Sequence, residues 1–221
     1  MATSGTTAFD LSIDDLIEEA FERCGMRMTA GYQMASARRS LNLLFLDWAN
    51  RGLNLWTIEQ DTISLVAGTA TYNLDSDTVN VLSAVIRTGT GASQQDVRID
   101  RIGRAEYLAL PNKNTQGRPS QFYVERANTP TVSVYPAADT SYTLVFYKIR
   151  RIQDAGAYTN TSDVNFRFLP CLVSGLAYHL SMKYAPDRTP ALKQIYEEDF
   201  QRAAVEDRDT AGSHLVPAIG Y

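Results

Sequence analysis

Thr62-Ile63-Ser64-Leu65, then Gly68, then Thr71-Tyr72-Asn73-Leu74 is where the chain changes period. Apolar and polar residues alternate there as in half-buried strands, and Gly68 offers a turn between two short strands. Before this stretch, apolar residues recur every three or four positions, as on a helix. The strand-like pattern lasts to about residue 152, after which the helical spacing returns. A helix can bury its apolar stripe only against another element, so the two helical halves are expected to close on each other. The fold class so read is α+β: an antiparallel helix bundle formed by N- and C-terminal helices, with an inserted antiparallel β-rich domain. The expected parts are 1–55 (helical), 56–152 (β-rich), 153–212 (helical) and 213–221 (an extended C-terminal tail).

Upstream, Ser12 is placed as an N-cap with Asp15 three residues on, and Leu11 and Leu16 are spaced as a hydrophobic staple. Ile13, Leu16, Ile17, Ala20, Phe21 and Cys24 form one apolar face, closed by Gly25. A second helix is predicted from about Ala30 to Asn50, with Ala37, Leu41, Leu44, Phe45 and Trp48 as its stripe and Gly52 as its stop. Leu43 and Leu46 widen that stripe beyond what one partner needs. This helix is therefore expected to be covered on two sides, by the β insertion or a neighbouring subunit.

Downstream, Leu169, Leu172, Val173, Leu176, Ala177 and Leu180 make one face of a third helix, which tolerates Pro170 in its first turn and stops at Pro186. Thr189 is expected to cap a fourth helix with Pro190 at its first position. Its stripe is Leu192, Ile195, Tyr196, Phe200 and Ala203, and Glu198 and Arg202 are spaced as an i,i+4 pair.

In the middle, Val79 to Arg87, Val97 to Ile102, Gln121 to Arg126, Thr131 to Tyr135 and Tyr142 to Ile149 read as further strands, and Arg104 to Leu110 as a short helix. Such spacing suggests an antiparallel sandwich or barrel-like sheet. Polar loops occupy 112–119 and 153–163. Ser213 to Tyr221 carries Leu215, Val216, Pro217, Ile219 and Tyr221, more apolar than a solvated tail requires.

The 221 residues, 44% hydrophobic and 21% charged, are those of an ordinary globular chain. No apolar stretch approaches the roughly 20 residues that cross a bilayer, and Met1 to Asp10 lacks the pattern of a signal peptide. No membrane partner is expected. Cys24 and Cys171 lie among apolar residues and read as buried reduced thiols of a cytosolic product. Residues 1–55 hold 5 basic and 7 acidic side chains, 56–152 hold 10 and 9, and 153–221 hold 6 and 9. The acid therefore concentrates on the helical part, which makes it a poor binder of duplex phosphates.

Few residues could carry chemistry. His179, flanked by Tyr178 and Leu180, has no acidic or cysteine partner at helical spacing and reads as a packing histidine; His214 falls in the tail. No His, Cys and carboxylate cluster suggests a metal, no glycine-rich strand-to-helix turn suggests a nucleotide, and no cofactor is expected. Ser174 lacks a nucleophile-elbow frame, and Gly175 beside it is expected to permit close helix packing. Glu197-Glu198-Asp199 and Glu206-Asp207-Asp209 point in several directions from a helix and read as a solvated face; lining a DNA passage, they would repel phosphates. Tyr72, Tyr107, Phe122, Tyr123, Tyr135, Tyr142, Phe146 and Tyr147 could form a sugar-binding face, but alternation sends about half inward, and core packing is the expectation. No active site is visible.

The order Thr62 to Leu65, Gly68, Tyr72 to Leu74 and Val79 to Val85, followed by Arg104, Glu106-Tyr107, Gly117-Arg118-Pro119, Phe122-Tyr123-Val124 and Val134-Tyr135-Pro136, resembles the head-to-tail adaptors (connectors) of short-tailed bacteriophages, the tail tubular protein A-like proteins. The resemblance spans roughly residues 10–210. It implies a structural virion protein rather than an enzyme, assembled in the host bacterial cytoplasm and placed at the head–tail interface. It further implies a homo-oligomeric ring, dodecameric in that family, between portal protein and tail nozzle protein, with packaged double-stranded DNA passing through without sequence-specific binding. The portal-docking tail would then be Ser213 to Tyr221, with His214, Leu215, Val216, Pro217, Ile219 and Tyr221 as contacts. Glu197, Glu198, Glu206 and Asp207 would face the channel, and the loops holding Asn112, Lys113 and Asn114, and Tyr158 and Asn160, would meet the nozzle.

Two other classes compete. A carbohydrate-binding tail or decoration protein would use the tyrosines of the β region, and a phage cell-wall hydrolase would use Glu197 or Glu198 as its acid.

Overall fold

The computed structural model describes residues 11–52 and 55–207, with Gly5 and Phe9. Its helices are α1 (Ile13–Arg23), α2 (Gly31–Arg51), α3 (Arg104–Ala109), α4 (Leu169–Tyr184) and α5 (Thr189–Glu206). Its strands are β1 (Ile58–Leu65), β2 (Thr71–Asn73), β3 (Thr78–Thr88), β4 (Gln95–Arg101), β5 (Gln121–Glu125), β6 (Thr131–Tyr135) and β7 (Tyr142–Arg150). The architecture is α+β. One compact unit comprises Met1–Leu55 and Ile152–Tyr221, and the other Trp56–Arg151.

In the helical unit α4 is the shared partner, packed against α1, α2 and α5. Every residue from Cys171 to Ala177 is buried, so over that stretch α4 is covered all round and not on the single face its leucines suggested. Gly175 makes this possible. A Cβ there would lie 2.9 Å from both Leu44 Cδ2 and Tyr196 Cε2, so α2 and α5 approach α4 only because the side chain is missing. The expected faces of α1 and α2 are buried, and Gly52 ends α2 in the left-handed conformation at φ +79°. Leu11 does not complete a buried staple; it is exposed, while Leu16 is buried.

Around Trp48 the core is aromatic. Phe168 and Phe200 lie 5.7 and 6.2 Å from its ring, and its indole Nε1–H donates to Tyr196 OH at 2.9 Å. A buried indole nitrogen without that acceptor would be a lasting cost.

Two local expectations for α5 fail. A 3-10 turn, Pro186–Arg188, precedes the helix, so Arg188 occupies the cap position and the Thr189 hydroxyl instead meets Ser181 at 3.0 Å. Arg202 pairs with Asp199 one turn back, while the Glu198 carboxylate accepts from Gln194 at 2.9 Å.

The β unit is one curled seven-stranded sheet of order β1-β7-β3-β4-β5-β6-β2. It is not wholly antiparallel: β4 and β5 pair in parallel at Asp100↔Gln121 and Arg101↔Phe122. The segment 103–120, with α3 in it, supplies the crossover such a pair requires. Nor do β1 and β2 form a hairpin. They are the two edges of the sheet, joined only by residues 66–70, so the sheet must bend round on itself. Tyr72 holds that link: its hydroxyl accepts from Val66 N–H at 2.9 Å and lies 3.0 Å from the Thr69 carbonyl. Gly68, at φ +78°, donates its N–H to Ala138 O at 2.8 Å. Inside the curl lie Leu65, Val81, Ala84, Ile86, Ile99, Phe122, Val132, Val134, Leu144 and Phe146.

Candidate functional site

Among the described residues, no three His, Cys, Asp or Glu side chains gather as a metal site, and no helix is long and apolar enough to cross a membrane. His179 is half-buried against Tyr178, and burial lowers its pKa. Cys24 and Cys171 are buried free thiols. Burial, reinforced by the charge of Asp199, pushes Cys171 up to about 12, the opposite of an activated nucleophile.

Three polar ties hold the helices together, and spacing alone revealed none of them. Ser174 on α4 donates to the Asp199 carboxylate on α5 and accepts from Arg23 Nη1 on α1 at 3.0 Å. Lys183 donates to Ser40 Oγ at 2.6 Å and to Ser36 Oγ at 3.1 Å, fastening α4 to α2. Arg51 reaches from α2 to both carboxylate oxygens of Glu197 at 3.0 and 3.1 Å, its guanidinium 4.5 Å from the centre of the Phe200 ring.

The residues expected at the channel therefore separate. Glu197 is engaged by Arg51, Glu198 and Glu206 are exposed, and Asp207 lies 3.9 Å from Arg167. The loop residues expected at the nozzle have internal work. The carbonyls of Tyr158 and Asn160 accept from Asp14 and Ile13 N–H at 3.0 and 2.9 Å, satisfying two of the open donors that begin α1. Lys113 Nζ donates to the Leu108 and Leu110 carbonyls beside the Tyr107 ring, and Asn112 Oδ1 accepts from Asn114 N–H. The tail residues His214, Leu215, Val216, Pro217, Ile219 and Tyr221 lie outside the described residues.

What remains open on the helical unit is apolar. Tyr32, Leu43 and Leu46 share one face of α2 by spacing and are 68%, 60% and 56% exposed, uncovered in the single chain. Between α1 and the start of α4 runs a groove of about 1010 Å³, lined by Phe9, Leu11, Phe166, Leu169, Pro170 and Val173, with Asp15, Glu18, Glu19 and Glu22 along it. Sequence reasoning missed this groove because its walls come from segments some 150 residues apart.

In the β unit most of the aromatic rings face inward or are half-covered, and among that unit's tyrosines Tyr147 stands out at 48% exposure. The notable site is ionic. Lys148, 4% exposed, donates to Asp75 at 2.6 Å and Asp61 at 2.9 Å, with Glu59 at 3.3 Å and Asp77 at 3.9 Å. Burial works against its charge, but the hydrogen bonds to Asp75, Asp61 and Glu59 outweigh it and hold its pKa above the usual lysine value.

A family model described as SU10 adaptor protein matches residues 12–218, across both units. The chain belongs to the SU10 adaptor protein family. It is thus a phage adaptor, a structural component of the virion whose role implies contacts with other head and tail proteins. No curated protein matches the chain. For an adaptor, the surfaces that matter are those left uncovered in one copy: the α2 face, the α1/α4 groove and the exposed acids of α5.

Proposed function

We propose that this adaptor forms a homomeric ring, twelve copies by its resemblance to the tail tubular protein A-like adaptors, between the portal and the tail nozzle of a short-tailed phage. The observation that carries the reading is the uncovered apolar face of α2. Leucines this exposed on a helix that also builds the core are best explained by a neighbouring copy. In such a ring Glu198 and Glu206 of α5 face the channel and repel duplex phosphates, so DNA passes without being held. The apolar segment 213–221 docks on the portal, and many weak tails engaged at once make a durable joint. The loops at 112–114 and 158–160 are the nozzle side.

Two experiments test this. Electron cryomicroscopy of the protein mixed with its cognate portal, with and without residues 213–221, is expected to show a ring on the portal only when the segment is present. Leu43→Glu with Leu46→Glu is expected to leave a folded monomer by sedimentation that no longer assembles. A ring unaffected by both leucine changes overturns the α2 interface; no association with portal in either form overturns the adaptor position. The sugar-binding reading loses support because its tyrosines are largely spent on packing. The hydrolase reading is left with Glu198 alone, because Arg51 occupies both oxygens of Glu197.

A further inference from the structure

We propose that the α1/α4 groove is the resting site of the chain's own residues 213–221, docked in cis. The inference is independent of any ring or portal.

The groove is large, and six of its described lining residues are apolar. At about 1010 Å³ it sits at the upper end of the ~300–1,000 Å³ that holds a drug-sized ligand, room for several side chains rather than one. Phe166 and Phe9 stand on it 59% and 71% exposed, not covered by any of the described residues.

The end of α5 is delivered to this place. Arg167, the residue next to Phe166, donates to the Glu206 carbonyl at 3.2 Å and lies 3.9 Å from Asp207. The last described residue is therefore anchored one position from the groove wall. Residues 208–213 can bridge at most roughly 20 Å, ample for so short a step. The chain then ends in His214-Leu215-Val216-Pro217-Ala218-Ile219-Gly220-Tyr221, whose large apolar side chains match the lining of the groove.

Charge selects the same segment. The groove carries Asp15, Glu18, Glu19 and Glu22, and the one basic side chain among its described residues, Arg23, is already bonded to Glu19 at 2.9 Å. Residues 213–221 contain no acidic side chain to be repelled there, while the acids of 206–209 stay on the connector. Residues 2–8, just before Phe9, are a poorer match, because Ala2 to Ala8 offers only small side chains. Tethering favours the chain's own segment over a second copy's, since a short connector holds it at an effective concentration in the millimolar range.

The test uses a fluorescent peptide of residues 213–221, the full chain, and the chain ending at residue 212, whose fold is first checked by circular dichroism. The peptide is expected to bind the truncated chain saturably and the full chain at least about tenfold more weakly, because the groove is already filled. Phe166→Glu, a change at an exposed position, is expected to abolish peptide binding to the truncated chain. Hydrogen exchange at residues 166–173 is expected to be slower in the full chain than in the truncated one, equally at low and high protein concentration. No binding to the truncated chain, equal binding to both forms, or protection that grows with concentration, as docking between copies would give, each overturns the proposal.

Discussion

The two units handle buried polar groups in opposite ways. The helical unit buries mostly neutral groups, the Trp48 indole on Tyr196, the Ser174 hydroxyl and a free thiol at Cys171, and keeps a charged tie such as Arg51–Glu197 partly exposed. The β unit buries a full charge, Lys148, and surrounds it with carboxylates. In the first, close packing dominates and the ionic ties are partly exposed. In the second, ionisation is itself the fastening.

The sharpest way to break this contrast is at Gly175. Val there places a Cβ and two methyls against Leu44 and Tyr196 where even the Cβ is 2.9 Å away, so the helical unit should lose about 3 kcal/mol. Ala should cost less, since its better helix propensity returns up to ~1 kcal/mol. Urea denaturation followed by Trp48 fluorescence in a Trp56→Phe background reads the helical unit alone.

In the β unit, Lys148→Met should cost about 2 kcal/mol, below the ~3–5 kcal/mol of a wholly buried pair. Its partners Asp61 and Asp75 are 34% and 68% exposed and regain water once the lysine is gone. A urea titration followed by amide NMR should show the loss confined to residues 56–151.

The pH windows should differ next. Burial lowers His179 below its ordinary 6.5, so its share of stability is present above 6.5 and lost as pH falls through the folded value. Burial and Asp199 raise Cys171 from 9.0 to about 12, so its share is present below 9.0 and lost as pH rises toward 12. In the β unit, burial opposes ionisation of Asp61, but Lys148 outweighs it and holds the carboxyl below 3.8; that share is lost only as pH falls below 3.8. Lys148, raised above 10.5, keeps its share until pH rises through its folded value. The helical unit should therefore weaken on both sides of roughly pH 6.5–9 while the β unit holds. Urea midpoints for each unit between pH 5 and 10 check this, and His179→Gln should flatten the acid limb of the helical unit. Parallel pH profiles for the two units would erase the distinction.

The smallest effect should come from Arg87→Ala. The Arg87–Asp96 fork joins β3 to β4 at 2.8 Å, but it lies in contact with solvent, so thermal denaturation should register little or no change.

Much of this was legible along the chain. Gly25 and Gly52 end α1 and α2, the stripes of both helices are the residues buried, and Gly175 sits where α2 and α5 close on α4. Short-range rules reach that far because caps and stripes depend on neighbours within one or two turns. They failed where a second local solution competed, as with the 3-10 turn before Thr189 and the choice of Asp199 over Glu198 by Arg202. They also failed wherever the partner came from elsewhere, as with the Ser174 and Lys148 ties and the groove beside Phe166.

The amino-acid order by itself determined the elements, their approximate limits, the α+β class and which faces are apolar, because spacing at 3.6 or 2 residues acts through the local backbone. Only the tertiary structure decided that β1 and β2 are the two edges of one curled sheet, that α4 is covered on every side from Cys171 to Ala177, and that α1 and the start of α4 leave a groove where α5 ends. Those are matters of which apolar face meets which. Each face could be buried by several partners, and the choice rests on shape and charge brought together from distant parts of the chain.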